Sequence, residues 1–109
     1  MMKHDGLVFT EWQVAKTKRD ALRAQAKRLA FTNGVFDLLH VGHLRYLKEA
    51  AKLADVLWVG LNSDESVSQL KGPLRPIMPW AERAELLAAL SPVDAVVFFN
   101  ETTADDILR

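Results

Sequence analysis

Leu29-Ala30-Phe31-Thr32-Asn33-Gly34-Val35-Phe36-Asp37-Leu38-Leu39-His40-Val41-Gly42-His43 is the stretch that decides the fold. Its first half is a short apolar run that ends in Asn-Gly, the pattern of a strand running into a turn. Its second half opens a segment in which Val41, Leu44, Leu47, Ala51 and Ala54 recur at spacings of three and four. Arg45, Lys48, Glu49 and Lys52 fall between them, so an amphipathic helix is expected over Val41–Ala54. A strand, a glycine turn and a helix start are thus joined in fifteen residues. Such a junction offers free backbone N–H groups and the positive end of a helix dipole, which suits it to bind phosphate. His40 and His43 lie three apart and can share one side of the first helical turn. Two imidazoles there can add hydrogen bonds to a phosphate whose charge changes in a reaction.

Outward from this stretch the same alternation continues. Arg28–Asn33 is read as the first strand and Val56-Leu57-Trp58-Val59-Gly60-Leu61 as the second. The second is apolar without interruption, as strands buried on both faces of a parallel sheet are. Asn62-Ser63-Asp64-Glu65 supplies a cap and an acidic first turn for a short helix to Leu70. Lys71-Gly72-Pro73-Leu74-Arg75-Pro76-Ile77-Met78-Pro79 reads as a loop, and Pro79 as the first position of a helix Trp80–Leu90 stopped by Ser91-Pro92. Ala95-Val96-Val97-Phe98-Phe99 is a third buried strand, and Thr102 or Thr103 caps a last helix. Ahead of the first strand, Thr10-Glu11-Trp12-Gln13 reads as a capping box for a helix to about Lys27. Lys16, Lys18, Arg19, Arg23 and Lys27 make one side of that helix basic. That side reads first as a solvated face and second as a surface that attracts phosphate. The order helix, then strand–helix three times, predicts an α/β fold with a doubly wound parallel sheet.

Composition sets bounds on function. The 109 residues suit a single domain, 1–109. Half are hydrophobic and 26% charged, with zero formal net charge and no cysteine. A general electrostatic grip on nucleic acid is therefore not expected, and disulfides and thiolate metal sites are excluded. No apolar stretch approaches the length of a membrane span, which points to a cytoplasmic protein without a membrane partner.

The pattern Gly34-x-Phe36-Asp37-x-x-His40-x-Gly42-His43 resembles the signature of the cytidylyltransferase-like nucleotidyltransferases, a Rossmann-like fold of the HxGH type. The resemblance implies transfer of a nucleoside monophosphate from a triphosphate to a phosphorylated alcohol or sugar, with release of pyrophosphate. It implies catalytic roles for His40 and His43 at the triphosphate. Thr32, Asn33, Gly34, Phe36, Asp37 and Gly42 are the expected nucleotide-binding residues. Gly34 would let phosphate approach the backbone and Gly42 would let the nucleotide pack on the helix start. Asp37 would order the loop or lie near the metal–phosphate site, unless it is only a turn or cap residue. His40, His43 and Asp37 are also a zinc or iron donor set, but that reading leaves the glycines and the strand–helix junction unexplained. Magnesium carried in with the nucleotide is the expected cofactor, without a dedicated metal site.

Asn62, Asp64, Lys71, Arg75 and Arg83 form the expected substrate or phosphate set. Asn62 and Asp64 follow the second strand, at the carboxyl edge where open α/β sheets bind ligands. Lys71 and Arg75 come from the proline-rich loop. Arg83 lies near the start of a helix, where a cation gains nothing from the dipole. Asn62-Ser63-Asp64-x-Ser66-Val67-x-x-Leu70-Lys71-Gly72-x-x-Arg75-Pro76 and Val93-Asp94-x-Val96 extend the resemblance to the heptose-1-phosphate adenylyltransferases of the ADP-heptose group. AMP transfer from ATP to a sugar 1-phosphate follows as the expectation. A CTP-dependent cytidylyltransferase of glycerol 3-phosphate or a similar polyol phosphate is the alternative, and a non-catalytic nucleotide-binding module the third reading. Catalytic domains of this group continue through a Lys-Gly-Gly-Asp-like segment to a Ser/Thr-rich motif. Their sheet resembles a five-stranded one ordered 3-2-1-4-5. The domain is therefore expected to be incomplete and to lack its C-terminal strands. The open edge of Arg28–Asn33 is expected to be filled by further residues of a longer chain, or by a partner as in a homodimer.

Overall fold

Helices on both faces of one parallel sheet are what the computed structural model shows, over described residues 4–100. In chain order the elements are β1 (Leu7–Phe9), α1 (Trp12–Ala24), β2 (Leu29–Gly34), α2 (Val41–Ala51), β3 (Val56–Asn62), α3 (Asp64–Lys71), α4 (Trp80–Ala88) and β4 (Ala95–Phe99). The sheet runs β1-β4-β3-β2, with every neighbouring pair parallel. The last expected helix, capped at Thr102 or Thr103, lies outside the described residues.

Alternation within the strands sorts the core into two layers. Leu57, Val59, Leu61 and Val96 face Leu47 of α2 and Ala84, Leu87 and Ala88 of α4. Trp58, Ala95 and Val97 face Ala15 and Leu22 of α1, on the opposite side. Complete burial of residues such as Leu47, Leu57 and Leu61 stabilises the fold by about 1.5–3 kcal/mol each. Gly60 leaves a gap in the α1-side row of β3. The Phe31 and Phe99 rings meet over it with centroids 6.0 Å apart. A Cβ at residue 60 would lie 2.6 Å from Phe31 Cζ and 2.8 Å from Phe99 Cδ2.

The sequence reading needs correction in several places. β1 was not expected: three residues carry too little periodicity to read as a strand. It is held by a close approach, in which Gly6 N–H donates to the Ala88 carbonyl at 2.8 Å and a Cβ at Gly6 would strike the Val93 carbonyl. The Thr10 capping box does not form; Glu11 is the N-cap of α1 and makes no side-chain cap bond. α1 also ends at Ala24, short of Lys27. Lys27 N–H donates to Leu22 O and Ala26 N–H to Arg23 O, with Ala26 at φ 58°. This is a Schellman ending with alanine where glycine is usual, so the stop signal was hidden. α2 and α4 end at Ala51 and Ala88, earlier than expected. Finally, Pro79 is the N-cap of α4 and Lys71 closes α3, each one position from its expected role.

β2 pairs with β3 from Leu29↔Val56 to Gly34↔Leu61, and β3 pairs with β4 as far as Asn62↔Phe99. These strands therefore end together. β2 has one strand neighbour among the described residues. No helix of the described residues is long and apolar enough to cross a membrane.

Candidate nucleotide site at the carboxyl edge of the sheet

Two histidines cap α2 and thereby fix each other. His40 is the N-cap, in extended conformation. Its Nδ1 accepts from Gly42 N–H at 3.0 Å, and His43 Nδ1 accepts from His40 N–H at 3.2 Å. The ring centroids are 4.0 Å apart, and His43 meets Phe36 edge-on at 5.3 Å. Because both Nδ1 atoms are acceptors, the neutral rings carry their protons on Nε2. Burial, and then the neighbouring His40, lower the pKa of His43 below the ordinary histidine value. The helix start thus holds a neutral imidazole that offers an N–H donor.

The two glycines have structural reasons that differ from the expected ones. A Cβ at Gly42 would lie 2.7 Å from His40 Cε1, so glycine lets the His40 ring fold over the first turn. A Cβ at Gly34 would lie 2.8 Å from Phe36 Cε2. The space beside Gly34 therefore belongs to the Phe36 ring. Phe36 itself is buried and sits at φ 45°, a left-handed conformation that costs a non-glycine residue about 1 kcal/mol or more. Thr32 Oγ1 and Tyr46 Oη share a hydrogen bond of 2.6 Å between β2 and α2. Asn33 is exposed.

Two buried charges tie this turn to the segment after β3. Asp37 is 4% exposed. Its carboxylate accepts from Ile77 N–H, Met78 N–H and Arg75 Nε–H at 2.7–3.0 Å. Burial alone would raise its pKa, but those two amides and the Arg75 guanidinium outweigh it and hold the carboxyl below its usual value. Arg83 is fully buried. It donates from Nε to Met78 O at 3.0 Å and from Nη1 to Val35 O at 2.8 Å, and Nη2 pairs with Asp64. The functional reason sought for a cation near a helix start is therefore an architectural one: Arg83 links the β2–α2 turn, the proline-rich loop and the start of α3.

Of the remaining expected residues, Asn62 is buried and donates to Ser66 Oγ, Arg75 is part-exposed beside Asp37, and Lys71 is exposed at the end of α3. The structure joins the histidine turn to Asp37, Arg75, Arg83 and Asp64, and leaves Lys71 outside that network. Three further supports hold this frame, and of these the sequence reading places only the cap of α3, within Asn62-Ser63-Asp64-Glu65. Ser68 Oγ donates to Arg75 O at 2.5 Å, Ser63 Oγ caps α3 by accepting from Ser66 N–H, and Trp80 Nε1–H donates to Leu61 O at 2.9 Å. Only the cap had a local signal; the other two depend on where the chain returns.

No group of three or more His, Cys, Asp or Glu residues that could hold a metal ion occurs among the described residues. Asp37, the nearest carboxylate in sequence to the histidines, is committed to the loop.

Known proteins resemble this chain in sequence and in fold. The model of the family described as "Cytidylyltransferase-like" matches residues 31–109. The Bifunctional protein HldE of Syntrophotalea carbinolica is 47% identical over 111 residues, covering 98% of this chain and 23% of that protein. Its namesake from Geobacter metallireducens is 56% identical over 84 residues, covering 77% and 17%. The chain thus spans about a fifth of the length of these curated relatives. The crystal structure of the lipopolysaccharide core biosynthesis protein from Thermoplasma volcanium superposes with a TM-score of 0.68 at 32% identity, covering 75% of this chain and 66% of that one.

Proposed function

The chain belongs to the cytidylyltransferase-like family, and on that premise we propose that it transfers AMP from ATP to a heptose-like sugar 1-phosphate and releases pyrophosphate. The observation that carries this reading is the mutual capping of His40 and His43, which leaves two Nε2–H donors at the start of α2. A phosphate oxygen of the acceptor attacks the α-phosphorus of the triphosphate. The new P–O bond forms as the bond from the α-phosphorus to the bridging oxygen breaks, and pyrophosphate leaves with that electron pair. Such a displacement needs positioning and charge stabilisation, with no covalent nucleophile. His40 and His43 supply donors whose orientation is set before the substrate arrives, so little reorganisation is needed as charge develops.

In this reading the other residues take supporting roles. Thr32, Asn33, Gly34, Phe36 and Gly42 shape the wall against the nucleotide. Asp37, Asp64 and Arg83 act by holding that wall, and Asn62 by anchoring α3. Arg75 meets Asp37 through Nε, which leaves its terminal nitrogens for an anion. Lys71 is a solvent-facing cation on the same chain segment, and Lys71→Ala should weaken binding of the anionic substrates about tenfold with little change in turnover. Magnesium would enter on the triphosphate, held by phosphate oxygens, and would neutralise part of their charge. No group of three or more His, Cys, Asp or Glu residues among the described residues forms a dedicated site for it.

ATP over CTP, and sugar over polyol phosphate, rest on the Asn62–Pro76 segment, which resembles the heptose-1-phosphate adenylyltransferases. Pyrophosphate release decides the matter, measured with ATP or CTP against heptose 1-phosphate or glycerol 3-phosphate. Release with ATP and the sugar phosphate is expected. Release only with CTP and the polyol phosphate would replace the proposed substrates. Nucleotide binding without release under any pairing would make the chain a binding module.

A further inference from the structure

Two residues of the β2–α2 turn have exchanged their customary places. Gly34 closes β2 opposite Leu61, and its φ lies outside the left-handed region that favours glycine. Its backbone alone would accept any residue. Phe36 stands two residues on at φ 45°, where glycine is the usual occupant and a bulky side chain is an outlier. Such an outlier persists only where the surrounding structure holds it, and outliers of this kind cluster at functional sites. The Phe36 side chain is therefore kept against the preference of its own backbone.

Its contacts show what the ring does there. Phe36 belongs to the same buried cluster as Leu47, one turn beyond His43. Towards β2 the ring covers Gly34, where a Cβ would lie 2.8 Å from Phe36 Cε2 and 3.2 Å from Cζ. Towards α2 it meets the His43 imidazole at a centroid distance of 5.3 Å and an interplanar angle of 67°, a favourable edge-to-face arrangement. The His43 side chain has one hydrogen bond among the described residues, from His40 N–H to Nδ1, and at 3.2 Å it is at the long end of the range. A ring held by one long bond can tilt about it. The Phe36 edge, together with the His40 ring at 4.0 Å, takes that freedom away. Burial is also the first cause of the lowered His43 pKa, with His40 the second.

We propose that Phe36 is a positioning residue whose ring sets the direction of the His43 Nε2–H, and that residue 34 is glycine to leave that ring its space. Gly34 then acts at one remove, through two rings, and not by admitting phosphate to the backbone. The proposal rests on the nucleotidyl-transfer reading only for the use of that N–H at a phosphate; the order of the rings stands without it. A misdirected donor matters, because a displacement of about 1 Å in a site can lower turnover by on the order of 10².

Nitrogen NMR of the imidazoles across pH, with pyrophosphate release from ATP and heptose 1-phosphate measured beside it, tests the proposal. Phe36→Leu keeps an apolar group in the core and removes the ring. His43 should then titrate at higher pH than in the parent chain and show mixed tautomers in place of the Nε2–H form. kcat should fall by about tenfold, with KM changed by about twofold or less. Gly34→Ala keeps Phe36 and displaces its ring, so it should give the same signature, and the outcome does not hang on the folding of a Phe36 variant. Gly34→Ala combined with Phe36→Leu should be no worse than the poorer single variant, because both changes act on one ring. An unchanged His43 titration and tautomer in the single variants would overturn the proposal. Full additivity of the two losses would overturn the link between Gly34 and Phe36 and return Gly34 to direct contact with substrate. The expected imidazole signature in a chain that releases no pyrophosphate would support the positioning role and sink the transfer reading alone.

Discussion

The arginines on the two faces of the sheet are used in opposite ways. On the α2–α4 side, Arg83 is wholly buried, and its three nitrogen positions reach Met78 O, Val35 O and Asp64. On the α1 side, Arg19 is mostly buried too, yet its Nε meets nothing. The committed cation joins three segments that lie far apart in sequence, and so it fixes the frame in which the histidines sit. The uncommitted one contributes little to the frame and remains available. Burial of a cation is therefore a poor guide to its role; the number of donors already in use is a better one.

The largest effect should come from breaking the committed side. Arg83→Met keeps apolar bulk but removes all three donors, and should destabilise the chain by about 3–5 kcal/mol in denaturant unfolding. Arg19→Met, the matched change on the other face, should shift stability by about 0.5 kcal/mol or less, since no strong bond is lost. A similar loss in both would erase the contrast.

His43→Ala comes next. Turnover should fall by about 10² or more, through loss of one preorganised donor, while substrate binding changes less. Since His40 N–H would lose its acceptor, α2 should also fray at its first turn, seen as faster amide exchange at His40. An unchanged rate in an active protein would remove His43 from catalysis.

Asp37→Asn should cost about 2 kcal/mol, because one strong acceptor of three donors is replaced by a weaker one. It also changes the response to acid. The folded-state pKa of Asp37 lies below its unfolded value, so the folded state binds fewer protons. Its stabilisation is full above the unfolded carboxylate pKa and is lost as pH falls through the lower folded value. Stability measured between about pH 5 and 2 should therefore fall less steeply in Asp37→Asn than in the parent chain. His43 behaves with the same sign in a higher window: its lowered pKa gives stability that is full above the ordinary histidine value and declines on acidification.

Ala26→Gly should have the smallest effect and the opposite sign. Relief of a left-handed alanine in the Schellman ending should stabilise the chain by about 0.5–1 kcal/mol. Because Ala26 lies beyond α1, in neither set of bonded arginines, the gain should be the same in the Arg83 and Arg19 backgrounds.

Much of the architecture was legible because it rests on local signals. β3 is a continuous apolar run, and β2 and β4 are short ones bounded by turn residues, so their parallel pairing followed from the helices between them. The histidine turn was legible as a site because glycine, aspartate and two imidazoles recur at fixed spacing. What could not be read depends on distant returns of the chain. Asp37 finds Arg75, and Val35 finds Arg83, only after β3 and α3 have brought them back. The sequence showed these charges near the candidate site but not that they are spent on one another. β1 was illegible for a related reason: three residues become a strand only because β4 offers an edge. The end of α1 was hidden because alanine occupies a position that glycine usually announces.

Gly60 carries an implication for how this sequence can change. Phe31 and Phe99, from the strands on either side, close over it, and any side chain there would need their space. The three positions therefore share one fixed volume. A lineage that acquires alanine or serine at 60 must already have reduced the ring at 31 or 99, or must do so soon after. Substitution order is thus constrained: shrinking an aromatic first leaves a tolerable void, whereas enlarging residue 60 first passes through a clashing intermediate. Joint variation of positions 31, 60 and 99 among relatives is the trace that this constraint would leave.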